Sequence, residues 1–140
     1  MVFLFFESIC KIVKLKSILF LFYFGSMLGF SQGNGILERT KLSLKLGNSQ
    51  KLSQLMGEKI QLGFEGEAKM VSQKEAESKL SEFFKSNTPS ELNQLFQGQS
   101  KDGKQYLICK LKTAGGDFRI SIYWQEGANS QIVSMDFSKE

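Results

Sequence analysis

Apolar residues along this chain follow three different patterns. Residues 18–24 form an unbroken apolar run near the start. Residues 73–87 place apolar side chains three or four positions apart, which predicts an amphipathic helix. Residues 58–64, and most of the chain after residue 90, alternate apolar and polar side chains, which predicts strands buried on one face. The pattern therefore predicts helices combined with an antiparallel sheet.

The apolar run at residues 18–24 has the surroundings of a secretory signal peptide. Three lysines precede it between residues 11 and 16, and the small residues Gly29 and Ser31 follow it. We predict a signal peptide over residues 1–31, cleaved after Ser31, although its apolar first residues also fit a misplaced start. The alternative is an uncleaved anchor, but the run is shorter than the about 20 residues that span a bilayer. The mature protein is expected to be exported, to the periplasm or outside.

The segment from residue 36 to residue 46 fits two structures. Leu42, Leu44 and Leu46 would share one face of a strand. In a helix, a different set shares one face: Ile36, Leu37, Thr40 and Leu44. Gly47-Asn48 reads as a helix stop, and Ser49 as the cap of a short second helix carrying three apolar residues, Leu52, Leu55 and Met56. We therefore favour a helix–turn–helix.

The next segments predict a hairpin and then a longer helix. Residues 58–64 and 67–71 read as two strands joined by a tight turn. Ser72 and Glu75 have the spacing of a capping box, in which a side-chain oxygen accepts a free backbone N–H at a helix start. The helix that follows covers residues 73–87.

Four further strands are predicted over residues 91–99, 105–113, 118–124 and 131–137. Their alternation assigns one set of residues to the core: Leu107, Cys109, Leu111, Phe118, Ile120, Ile122, Trp124, Val133, Met135 and Phe137. The whole order predicts a single α+β domain over residues 32–140. In this domain a curved antiparallel sheet of about six strands wraps on two to three N-terminal and central helices.

The composition limits the kinds of binding site that this chain is expected to form. The formal net charge is +4, and the three lysines and one glutamate of residues 1–31 account for two of these charges. The remaining surface is well mixed, so no clustered basic face for nucleic acid is expected. The chain has no histidine, and Cys109 is the only cysteine after the leader. No metal site and no cofactor are therefore expected.

Three stretches resemble a known family: ILER followed by GNSQKLSQLM, then GEKIQLGFEGEAKMVSQKEAESKLSEFF, and GQSKDGKQYLICKLKTAGGDFRISIY. They are similar to exported bacterial proteins described as a domain of unknown function, with a nuclear-transport-factor-2-like (cystatin-like) cone. The resemblance covers nearly all of residues 33–137 and rests on hairpin spacing. It implies the fold and an exported location, and it implies no established activity. Thr40 and Met56 depart from the family pattern and are expected to loosen the first helix pair.

Some enzymes of this superfamily, such as ketosteroid isomerase, use an acid inside the cone, which fold alone does not assign to this chain. Asp102 and Asp117 fall in turns, and alternation places Asp136 on the outer face. Cys109 has Leu107 and Leu111 as neighbours on its face, which favours a buried, unreactive thiol. We therefore assign no catalytic residue.

Two surfaces remain as candidates. Five inner aromatic residues either line an apolar pocket at the mouth of the cone or fill the core: Phe64, Phe83, Phe84, Phe118 and Trp124. Four outer residues form a candidate interface: Tyr106, Ile108, Arg119 and Tyr123.

We therefore expect an exported, non-catalytic binding or interaction domain. The alternatives are a small lyase or isomerase that uses the cone interior, and a structural accessory of the cell envelope. The expected partner is a small apolar ligand or a protein, including a second copy of this chain. Membrane contact is expected only through an uncleaved leader.

Overall fold

The computed structural model describes residues 35–140, and the predicted leader with its cleavage site lies outside them. The described chain contains three helices, α1 (Gly35–Leu46), α2 (Ser49–Ser53) and α3 (Gln73–Ser86). It also contains six strands, β1 (Met56–Phe64), β2 (Glu67–Ser72), β3 (Pro89–Gln99), β4 (Gln105–Thr113), β5 (Gly116–Gln125) and β6 (Gln131–Lys139). Along the chain, α1 and α2 precede the β1–β2 hairpin, and α3 separates β2 from β3. No helix of residues 35–140 is long and apolar enough to span a bilayer.

The six strands form one sheet in the order β2-β1-β6-β5-β4-β3. Four of its five neighbouring pairs are antiparallel, as predicted, and β1 pairs with β6 in parallel. The last four strands are successive hairpins, whereas the β1–β6 pair joins strands that are distant along the chain. The β1–β6 pair therefore joins the β1–β2 hairpin to the four strands that end the domain.

The core lies between the helices and the inner face of the sheet. The predicted inner residues of β4 and β5 are buried, including Leu107, Cys109 and Ile120. In β6 the prediction of Val133 is wrong, because Ile132 is buried and Val133 is only half-buried. Tyr123 pairs with Ser134 and Trp124 with Ile132, so Val133 is an extra residue that shifts the alternation by one.

The first helix pair forms as favoured. Helix α1 buries Leu37, Thr40 and Leu44, and the Thr40 hydroxyl donates a hydrogen bond of 2.7 Å to the Ile36 carbonyl. The hydroxyl of Thr40, one of the two residues that depart from the family pattern, therefore has a hydrogen-bond partner.

Two details of α2 differ from the prediction. Asn48 caps it rather than Ser49, because Asn48 has extended backbone and its Oδ1 accepts the N–H of Lys51 at 2.9 Å. Met56 lies outside this helix because it pairs with Ile132 at the start of β1. Ser72 caps α3 as predicted, since its hydroxyl accepts the N–H of Glu75 at 3.2 Å.

Candidate functional site

The outer face of the sheet, which is the face turned away from the helices, has an aromatic end. Tyr106 on β4 lies directly opposite Tyr123 on β5, and their ring centroids are 6.0 Å apart. Gly98 on β3 leaves room for the Tyr106 ring, because a Cβ there would lie 2.9 Å from the phenolic oxygen. Both tyrosines are half-buried against the sheet. Their rings therefore form a fixed apolar surface with polar hydroxyl tips.

An aliphatic and aromatic row lies beside the tyrosines. Ile108 pairs with Phe96 on one side and with Ser121 on the other. The Phe96 side chain is 59% exposed, on an edge strand that bulges at Leu95. Large exposed apolar groups at such a position are typical of protein contact.

The opposite end of the outer face is charged and internally paired. The Lys110 ammonium lies 2.8 Å from Glu140 and 3.3 Å from Asp117. The hydrogen bonds to Glu140 and then Asp117 raise the pKa of Lys110. Lys112 pairs with Glu91 at 3.2 Å. These groups satisfy one another within the domain.

Arg119 and Asp136, by contrast, form no salt bridge with any residue of 35–140. Arg119 pairs with Ser138, and Asp136 lies two residues before Ser138 on the same strand. The two charges are therefore diagonal neighbours, with Cα atoms about 7–8 Å apart. The Asp136 carboxylate accepts a 3.0 Å hydrogen bond from Ser138 and lies over Gly63, where a Cβ would clash with it. Gly63 thus makes space for this carboxylate.

A groove of about 510 Å³ adjoins the aromatic end. Tyr123 and Val133 contribute to its lining, Met70 lies on the side of β2, and the β3–β4 turn closes the other side. In that turn Asp102 accepts a hydrogen bond from the Ser100 hydroxyl and pairs with Lys104 at 3.0 Å. These contacts, led by that of Ser100, lower the pKa of Asp102 to about 2. Its carboxylate is therefore ionised at neutral pH.

Four of the five predicted pocket residues come together inside the domain. The Phe83 ring centroid lies 5.6 Å from that of Phe64, 5.5 Å from Phe84 and 4.9 Å from Phe118. Phe137 joins this cluster at 4.7 Å from Phe83. The rings are in contact with one another, and a shallow depression of about 370 Å³ opens beside Phe64 and Phe83.

Trp124 lies apart from this cluster. It is six residues along β5 from Phe118, which is about 20 Å of strand. It is buried, and its indole N–H has no hydrogen-bond partner among the described residues. The use of the phenylalanine cluster as a ligand pocket stays a prediction.

Besides the Trp124 indole N–H, the described residues bury three side-chain hydroxyls, those of Thr40, Ser43 and Ser53. Each donates to a backbone carbonyl, and Ser53 also lies 3.1 Å from the Glu77 carboxylate. Cys109 is fully buried, and burial raises its pKa to about 12. Within residues 35–140, no group of three or more acidic or cysteine side chains is placed to hold a metal ion.

The comparisons with known proteins agree with the fold. Residues 37–138 match the family model described as a domain of unknown function, DUF4783. A solved DUF4783 family protein from Bacteroides fragilis is 31% identical with a TM-score of 0.68, and the match covers 73% of this chain and 96% of that one. A DUF4783 family protein from Bacteroides ovatus is also 31% identical, with a TM-score of 0.68 over 73% and 93% of the two chains.

A more distant solved structure is described by its fold. An NTF-2 like protein of unknown function from Silicibacter pomeroyi is 16% identical, with a TM-score of 0.55 over 75% of this chain and 90% of that one. At that identity the likeness shows the fold alone. No match is found among curated proteins. The matches confirm the predicted resemblance and the cone fold.

Proposed function

Since this chain belongs to the DUF4783 family of unknown function, we propose that it is an exported, non-catalytic interaction domain that pairs with a second copy of itself through its outer sheet face. Export rests on the leader-like pattern of residues 1–31. Interaction rests on the outer face, where apolar side chains and unpaired charges lie together. The inner hydroxyls already donate to backbone carbonyls, so the proposal assigns them no chemistry.

The observation that carries the proposal is the unpaired couple Arg119 and Asp136. A two-fold interface brings residue i of one copy to residue j of the other, and j to i. A free cation and a free anion that are diagonal neighbours on one face are complementary to a second copy of that face in this way. Stacking two copies face to face about a two-fold axis, with their strands running in opposite directions, places each Arg119 beside the Asp136 of the second copy.

In the same arrangement the two ends of the outer face also make contacts between the copies. The aromatic end of one copy, with Tyr106 and Tyr123, lies over the charged end of the other, with Lys110. Cations placed over tyrosine rings are attracted by about 0.5–1 kcal/mol at exposed sites. Ile108 and Phe96 add apolar area beside them. The face thus combines aromatic and arginine residues, the types that are enriched in protein interfaces.

A charge swap tests the pairing on residues 32–140, which contain the whole core cluster. Light scattering after size exclusion is expected to give twice the monomer mass at protein concentrations up to about 100 µM, the range of weak specific pairs. Arg119→Asp alone is expected to give a monomer, because two acids then face each other. Adding Asp136→Arg to that variant restores the dimer.

Two further variants complete the experiment. Tyr123→Glu is expected to give a monomer, since it buries a charge in the aromatic end. Lys85→Asp makes the same charge reversal on α3, away from the outer face, and is expected to leave the dimer intact. A wild-type protein that is strictly monomeric, or a double swap that stays monomeric while Arg119→Asp does not, contradicts the proposal.

A further inference from the structure

The α1–α2 corner, defined as residues 35–55, holds the excess positive charge of the described chain. It contains four cations and one anion, whereas residues 56–140 contain 11 cations and 12 anions. The one anion, Glu38, pairs with Lys41 at 3.2 Å. Three cations are left without a salt bridge to any residue of 35–140: Arg39, Lys45 and Lys51.

Two exposed leucines lie among these cations. Leu42 is 53% exposed and Leu46 is 60% exposed. They are four residues apart on α1 and therefore lie on the same helix face. A groove of about 240 Å³ runs between α1 and α2, with Leu42, Arg39 and Lys51 among its lining residues. Apolar side chains flanked by lysine and arginine on an exposed helix are typical of surfaces that lie on a membrane.

We propose that the α1–α2 corner lies against an anionic bilayer surface. Leu42 and Leu46 enter the boundary between the headgroups and the acyl chains, and the three free cations face lipid phosphates. Complementary charge supports this partner, because the corner is cationic on a body that is otherwise close to neutral. This surface is additional to the leader, which the sequence pattern alone predicts as the membrane contact.

The helices lie on the inner side of the sheet, so this corner and the outer face are separate surfaces. The bilayer proposal therefore does not depend on whether the proposed dimer forms.

Vesicle co-sedimentation tests the proposal on residues 32–140, so that the apolar leader run does not contribute. The protein is expected to sediment with vesicles of equal parts phosphatidylglycerol and phosphatidylcholine at low salt, and to stay in solution with phosphatidylcholine alone. Each cation near an anionic surface changes partitioning by about five-fold, so Arg39→Gln with Lys45→Gln is expected to weaken it by about 25-fold. Leu42→Ser with Leu46→Ser is expected to weaken it by about ten-fold.

Matched controls separate this site from general charge attraction. Lys101→Gln with Lys139→Gln removes the same charge from exposed positions in the β3–β4 turn and at the end of β6, and is expected to leave vesicle binding unchanged. Unfolding midpoints check that each variant is folded. The proposal is overturned if the protein does not bind anionic vesicles. It is also overturned if the Lys101→Gln/Lys139→Gln variant loses as much binding as the Arg39→Gln/Lys45→Gln variant. It is also overturned if the protein binds soluble polyglutamate through Arg39 and Lys45 but does not bind vesicles.

Discussion

Replacing single leucines of α1 by alanine separates the two structures that this segment allows. In a strand, Leu42, Leu44 and Leu46 would share a face and their removal would cost similar free energies. In the helix, Leu44 is fully buried, while Leu42 and Leu46 are 53% and 60% exposed. A buried leucine replaced by alanine loses about 2–5 kcal/mol, because apolar contact is lost and a cavity is left. We expect about 3 kcal/mol for Leu44→Ala and under about 1 kcal/mol for Leu46→Ala, which loses little buried area.

Urea unfolding followed by the fluorescence of Trp124, the single tryptophan of the chain, measures these differences. With a slope of roughly 1.5 kcal/mol per molar urea, Leu44→Ala is expected to lower the midpoint by about 2 M. Leu46→Ala and Leu42→Ala are expected to lower it by less than about 0.7 M. Equal losses at all three positions would refute the helical placement. A loss under about 1 kcal/mol at Leu44 would refute the reasoning that this side chain belongs to the packed core.

Two further predictions follow from shifted pKa values. Because burial raises the pKa of Cys109 to about 12, a disulfide reagent at about pH 8 is expected to label the folded domain only as fast as it unfolds, and immediate labelling would contradict this. Hydrogen bonds from Ser100 and Lys104 lower the pKa of Asp102 to about 2 from its ordinary 3.8, so its stabilising contribution is present above about pH 4 and is lost as the pH falls towards 2. A carboxyl-carbon titration by NMR is expected to show a midpoint near 2 that rises in Ser100→Ala, and a wild-type midpoint at the ordinary value would argue against these bonds.

Most elements of the fold follow from short stretches of the chain. The alternation around Leu107 and Ile120 assigns the buried face of β4 and β5 correctly, because successive side chains of a strand point to opposite sides. The cap at Ser72 is readable because its partner Glu75 is three residues away. The assignment of Val133 to the core is wrong because a bulge is a property of the β5–β6 pair. Nothing in the alternation of β6 alone marks the extra residue.

The candidate site is predictable in its residue types and much less so in its arrangement. Alternation places Tyr106, Tyr123 and Arg119 on the outer face, where the structure has them. It does not show that Arg119 lacks a partner while Lys110 has two, since that depends on where the chain end brings Glu140. Alternation alone does not predict the exposure of Phe96 either, because the bulge at Leu95 sets which side chains of β3 lie opposite Ile108.

Local patterns were sufficient for the identity of the helices and hairpins, because caps, turns and side-chain periods act between residues a few positions apart. The parallel contact of β1 with β6, the groove beside the β3–β4 turn and the free charges of the outer face arise from the assembled domain. Each requires segments distant along the chain to meet, and their meeting is set by the packing of the whole core. The outer face proposed for pairing therefore exists only where the strands lie side by side in the folded domain.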